Sequence, residues 1–142
     1  MQPTLFDTSI YISALRRGND GVLAIRRLDS GSIIWLSAVV LGELYGGAGE
    51  RSRGVVERLE KDFDRAKRIL VPNLSDWTQA GEVLARLAAK YSYEQIGQGR
   101  PTNDALIAMS AGRLGVTVIT ANKRDFSRLA EFRSFQWRVA SF

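Results

Sequence analysis

Short β-rich apolar runs alternate with longer helical patterns along the 142 residues, which predicts an α/β three-layer sandwich around a mostly parallel sheet of about five strands. Two further features agree. Ile33-Ile34-Trp35-Leu36 is apolar at every position, as a strand covered on both faces is. No Pro-, Ser- or Gly-rich stretch long enough to be a linker separates two apolar regions, so residues 1–142 are expected to form one domain.

The elements follow in order. Thr4-Leu5-Phe6 reads as the first strand, and Ser9 to Arg17 as a helix with Ile10, Ile12, Ala14 and Leu15 on its apolar side and Gly18 as its stop. A second helix is expected from Asp20 to about Asp29. Strand Ile33 to Leu36 leads to Ser37 as a cap and to a helix from Ala38 to about Gly46. Glu50 to Arg68 carries Val55, Val56, Leu59, Phe63 and Ala66 along one helical line. Ile69-Leu70-Val71 is a third strand closed by Pro72.

Ser75 and Asp76 are expected to open a helix from Trp77 to Tyr91, with a polar loop over 92–100. Pro101-Thr102-Asn103 starts a helix to Leu114 that Gly115 stops, Val116 to Ile119 is the fourth strand, and a short helix runs from about Asn122 to Ala130. Phe135 to Val139 completes the set as a fifth strand. No repeat of fixed period interrupts this order.

Composition narrows the chemistry. The chain has no cysteine and no histidine, which excludes disulfides, thiolate nucleophiles, zinc sites built on Cys or His, and any triad or general base that needs imidazole. Catalysis, if present, must use carboxylates, hydroxyls, amines or a metal held by oxygen. The net charge of +5 favours polyanionic partners, and 16 of the 20 cations are Arg, the planar fork suited to phosphate. The first residues lack a basic segment followed by an apolar one, and no apolar run approaches the ~18 residues of a membrane span. A cytoplasmic location without membrane contact is expected.

In open parallel sheets, functional groups collect beyond the carboxyl ends of the strands. Four acids fall there. Asp7 directly follows the first strand, Glu43 lies on the helix leaving the second, Asp104 occupies the first turn of the helix that feeds the fourth, and Asp125 follows that strand. Capping offers another account of Asp7 and of Asp125, the latter in Asn122-Lys123-Arg124-Asp125. A helix dipole would also welcome Asp104, and a core Arg could pair with Glu43, whose helix is apolar almost all round and is expected to be buried. Taken jointly, the acids would repel one another unless a divalent cation neutralised them, and oxygen-only ligands select Mg²⁺ or Mn²⁺.

Leu5-Phe6-Asp7-Thr8-Ser9, Glu43 within Ser37 to Leu44, Thr102-Asn103-Asp104-Ala105-Leu106-Ile107-Ala108, and Thr120-Ala121-Asn122-Lys123-Arg124-Asp125-Phe126 resemble the ordered acidic motifs of PIN-domain nucleases. Length and spacing are similar to the VapC toxins of toxin–antitoxin pairs. The resemblance implies a Mg²⁺- or Mn²⁺-dependent endoribonuclease in which Asp7, Glu43 and Asp104 hold metal and Asp125 is a fourth, more variable acid. Thr8, Ser9, Thr120 and Asn122 are implied around them, with Ser9 standing where many members have Asn. It further implies an RNA substrate, a small VapB-like antitoxin and a homodimer.

Arg100, Lys123, Arg124 and Arg128 are the candidates for holding an RNA backbone. Trp35, Trp77, Trp137 and Tyr91 are expected in the core instead of serving as base-stacking platforms. The runs Ile10 to Leu15 and Val22 to Leu28 could line a groove for the antitoxin or simply face the sheet. Two other readings stay open: a PIN-fold RNA-processing or RNA-binding module that is not a toxin, and a receiver-like or phosphoryl-transfer α/β domain. The latter lacks an acid after the third strand, where Pro72-Asn73 stands.

Overall fold

A computed structural model of the chain describes residues 2–18, 31–96 and 101–140. Its sheet is centred on the strand Pro3–Phe6 (β1), which pairs in parallel with Ile33–Ser37 (β2) on one side and Thr117–Thr120 (β4) on the other. Ile69–Leu70 (β3) and Trp137–Val139 (β5) form the edges, giving the order β3-β2-β1-β4-β5 with every pairing parallel. In register, Leu5 lies between Trp35 and Val118. The predicted fold class is therefore the observed one, a parallel five-stranded sheet flanked by helices.

Six helices are described: Thr8–Arg16 (α1), Ala38–Gly47 (α2), Glu50–Arg65 (α3), Leu74–Ile96 (α4), Pro101–Arg113 (α5) and Lys123–Ala130 (α6). The helix expected over 20–29 lies outside the described residues. Leu5, Leu36, Val118 and the α5 residues Ala105, Ile107, Ala108 and Ala111 are completely buried. The most enclosed helix is thus α5, in which all positions from Ala105 to Ala111 are buried and the Ser110 hydroxyl is satisfied by the Leu106 carbonyl at 2.6 Å. The helix bearing Glu43, expected to be buried, is enclosed on one face alone. Only Val40, Leu41 and Leu44 of α2 are buried, because one face of it meets solvent.

Local hydrogen bonding explains where boundaries depart from expectation. Helix α1 starts at Thr8 instead of Ser9, because Asp7 is the N-cap and accepts from the Ile10 N–H. Helix α4 starts at Leu74, not at Trp77: Asn73 and Asp76 exchange side-chain and backbone bonds at 2.9 Å each, a reciprocal capping box. Helix α3 stops at Arg65, three residues early. There the N–H of Arg68 bonds the Phe63 carbonyl and that of Lys67 the Asp64 carbonyl, a Schellman closure with Lys67 at φ 58°. The same closure ends α5 at Gly115, φ 67°, as its sequence foretold.

The loop expected from residue 92 is a break followed by more helix. Ser92, at φ 64°, interrupts α4, which then continues to Ile96. Strand β4 is shifted by one residue to end at Thr120, and β5 begins at Trp137. Ile33, Ile34 and Trp35 are half-buried and only Leu36 and Ser37 of β2 are buried, whereas β1 and β4 are buried at all but their first residue. Trp35, Trp137 and Tyr91 pack partly buried against the core, but Trp77 is 54% exposed, on the outer side of the first turns of α4. Among the described residues no helix is long and apolar enough to cross a membrane.

Candidate active site

The chain leaves β1 toward β2 on one side and returns through β4 on the other, so the strand order reverses between β1 and β4. Such a switch point opens a crevice beyond the carboxyl ends. Asp7 stands at its floor, 3% exposed, immediately after β1. Its Oδ1 accepts from Ser9 Oγ at 2.5 Å and its Oδ2 accepts from Thr120 Oγ1 at 2.6 Å. Each hydroxyl is itself directed by a backbone N–H of the turn after β4: Ala121 donates to Ser9 at 3.2 Å, and Asn122 to Thr120 at 2.9 Å. Because those N–H groups occupy hydroxyl lone pairs, both protons point at Asp7.

Burial pushes the Asp7 carboxyl above the ordinary carboxylate range, while the hydroxyls of Ser9 and Thr120 and the N–H of Ile10 pull it back. Asp104, in the first turn of α5, has no such donors among the described residues. Burial raises it first, and Asp7, Asp125 and Glu43 then repel its charge, bringing it up to about 8. The charges of Asp7, Asp125 and Glu43 are thus felt at Asp104 across the carboxyl edge of the sheet. Glu43 sits half-buried on α2, where the Thr8 hydroxyl donates to its Oε1 at 2.9 Å, and the expected alternative of a core Arg partner finds none among the described residues.

Asp125 is engaged locally. Its backbone N–H donates to Asn122 Oδ1 at 3.3 Å, and its carboxylate accepts from Asn122 Nδ2 at 2.7 Å and from Arg124 Nε at 3.4 Å. Asn122 is the N-cap of α6, so the capping account of this pair holds. Asp7 caps α1 as well, but capping uses little of a carboxylate that also takes two hydroxyls. Among the described residues no three carboxylates come close enough to form a ready-made ligand set.

Oxygen-only donors of this kind suit a hard divalent ion, and the mutual repulsion at Asp104 is what such an ion would relieve. Of the predicted cations, Lys123 is exposed at the start of α6 and Arg124 is paired with Asp125. Arg128 is engaged elsewhere. Its guanidinium lies 4.2 Å from the Tyr91 ring centroid, in a group where Lys90 and Tyr91 both bond Glu131, so it fastens α6 to α4. Arg100 lies outside the described residues. The backbone N–H of Ala121 is the participant that residue-type reasoning passed over, since its contribution does not depend on a side chain.

A second feature adjoins Glu43. A cleft of about 360 Å³ runs between α1 and α2, lined by Ile12, Leu15, Arg16, Leu44, Gly47 and Glu43 itself. Ile12 is 38% exposed there, which supports the groove alternative for the Ile10 to Leu15 run. The Val22 to Leu28 run lies outside the described residues.

The family model of the PIN domain matches residues 4–132. The chain is 29% identical over 140 residues to the tRNA(fMet)-specific endonuclease VapC of Shigella flexneri, covering 94% of this chain and 96% of that protein. Among solved structures, DNA-bound VapBC from Salmonella typhimurium superposes with a TM-score of 0.68 at 23% identity, over 98% of each chain. VapBC2 from Rickettsia felis, bound to a fragment of its promoter, gives 0.64 at 22% identity, over 99% of this chain and 100% of that one. At these identities the structures speak for the fold.

Proposed function

The chain belongs to the PIN-domain family, and from that premise we propose that it is a divalent-metal-dependent endoribonuclease acting as the toxin of a toxin–antitoxin pair. The observation that carries the reading is the buried Asp7 at the switch point of the sheet, held by Ser9 and Thr120, with Glu43 tied beside it through the adjacent Thr8. Similarity to a VapC endonuclease along nearly the whole chain supports the same reaction class.

Asp7, Glu43 and Asp104 are the residues that would hold Mg²⁺ or Mn²⁺, with Asp125 at the rim. Bound there, the ion supplies a water of lowered pKa and a positive charge against the phosphate. The chain's own groups do the rest. Ser9 and Thr120 hold the Asp7 carboxylate in one orientation from both of its oxygens. Asp104, whose charge is opposed by burial and by its acidic neighbours, would give up its proton as a cation offsets them and so become a ligand. Lys123, with Arg124 when it leaves Asp125, orients the RNA phosphates from the exposed start of α6.

The partner reading is a VapB-like antitoxin seated on the cleft between α1 and α2. Two observations support it: that cleft borders Glu43 and presents partly exposed apolar side chains, and the solved relatives are VapBC complexes. A segment lying there would reach the acids by its end and could offer them a cation.

Purified protein should cut RNA with Mg²⁺ or Mn²⁺ and stop on chelation. Asp7→Asn should abolish cleavage with a normal circular dichroism spectrum, and undiminished cleavage by that variant would overturn the assignment. RNA bound but left intact in Mn²⁺ would instead support an RNA-binding module. For the toxin reading, expression should arrest growth, with relief on co-expression of the neighbouring small gene; active enzyme that leaves growth unchanged would contradict it.

A further inference from the structure

Glu43 differs from Asp7 and Asp125 in how it is held. It stands in the middle of a ten-residue helix, Ala38–Gly47, that contains three glycines: Gly42, Gly46 and Gly47. A Cβ at any of the three would meet nothing within 4 Å, so close packing does not explain them. Each weakens the helix, by roughly 1 kcal/mol against Ala, and leaves the backbone around Glu43 soft. The side chain also borders the cleft that contains Arg16, and an opposite charge in that cleft offers the carboxylate a second place to go.

Against this stands one hydrogen bond, from Thr8 Oγ1 to Glu43 Oε1 at 2.9 Å, between residues 35 apart. The donor is rigid. Thr8 is 8% exposed, β-branched and the first residue of α1, whose start is pinned by the Asp7 cap and whose Ile10, Tyr11 and Ala14 are buried in the core. Asp7 and Thr8 are adjacent, so the hydroxyl also fixes Glu43 relative to the first acid.

We propose that Thr8 is a positioning residue for Glu43: its hydroxyl engages Oε1, keeps the carboxylate from turning toward Arg16 across the α1–α2 cleft, and leaves Oε2 as the oxygen offered to a divalent cation. This rests on the metal-dependent reading above. Thr8→Val keeps the buried β-branched shape and removes only the hydroxyl, so it separates packing from hydrogen bonding.

The test is Mn²⁺ binding to the full-length, RNA-free protein, followed by electron paramagnetic resonance, beside thermal melting in EDTA. Thr8→Val should weaken Mn²⁺ binding about 10-fold or more, the range seen for groups that orient metal ligands. Thr8→Ser should restore it, and Thr8→Ala serves as a second hydroxyl-free variant should Val disturb folding. In the Glu43→Gln background, Thr8→Val should add almost nothing, because the two changes act on one contact. Wild-type affinity in both Thr8→Val and Thr8→Ala, or full additivity with Glu43→Gln, would overturn the role of Thr8 alone. A wild-type protein that binds no Mn²⁺, or an Asp7→Asn variant that binds it normally, would overturn the metal reading along with it.

Discussion

Thr120 and Asp7, 113 residues apart, are joined by a buried hydroxyl-to-carboxylate hydrogen bond of 2.6 Å that closes the carboxyl ends of β4 and β1 over the candidate site. Removing it leaves a buried carboxylate oxygen without its donor, which costs about 1–3 kcal/mol. Thr120→Val, which preserves shape, is expected to lower stability by that amount in urea denaturation, and Thr120→Ser to retain most of it. A Val variant as stable as wild type would show that water replaces the hydroxyl.

Asp104 predicts an unusual pH dependence. Its ordinary pKa of 3.8 rises to about 8 in the folded chain, through burial and then Asp7, Asp125 and Glu43. Between those values the folded state holds a proton that the unfolded state has lost, so stability falls as pH rises through that window. In EDTA the melting temperature of wild type should therefore decline from about pH 5 to 8 more steeply than that of Asp104→Asn. At pH 8 the variant should be the more stable of the two. Mn²⁺ should reverse the order by stabilising wild type alone, and parallel melting curves for the two proteins would contradict the coupling.

The edge on which the acids lie is legible because Asp7 and Asp125 follow strands, Asp104 starts a helix and Glu43 lies on the helix leaving β2, so that chain direction assigns the edge. Which donors they take is not. Thr8 and Ser9 both could have capped α1, yet Asp7 caps it, Thr8 turns to Glu43 and Ser9 to Asp7. A choice among adjacent hydroxyls depends on what tertiary packing brings near, which no local pattern contains. Burial of α2 was overestimated for a related reason: apolar composition says that a helix can be enclosed, and the number of neighbours decides whether it is. Trp77 misled in the same way, its place on a periodic face being real and the cover for that face absent among the described residues.

Far from the acids, Asp76 is 1% exposed and caps α4 while pairing with Arg113 at 3.0 Å. Arg113→Met is expected to cost about 2–3 kcal/mol: below the 3–5 kcal/mol of a fully buried broken pair, because the arginine is a third exposed and Asp76 keeps the Asn73 N–H. Chemical denaturation measures it. RNA cleavage at a temperature where the variant is folded should be unchanged.

Lys67 occupies the left-handed position after α3, where glycine relieves the clash of Cβ with the backbone. It is exposed and has no shape to fill. Lys67→Gly should raise stability by roughly 0.5–1 kcal/mol, after the added entropy of the unfolded chain is set against the relief of strain. A loss of stability would mean that the lysine stem contributes more than its backbone costs.

Two cations on α6 should separate cleanly. Lys123 is exposed beside the acids, whereas Arg128 is stacked on Tyr91 and bound into the Glu131 group. Binding of single-stranded RNA to the non-cleaving Asp7→Asn protein, followed across a salt series, should lose about 0.7 from its log–log slope on Lys123→Ala if that side chain meets one phosphate. Arg128→Ala should leave the slope as it was and lower the melting temperature, since the contact it removes is between α6 and α4. The opposite pattern would place the RNA path along the Tyr91 side of the molecule and take Lys123 out of it.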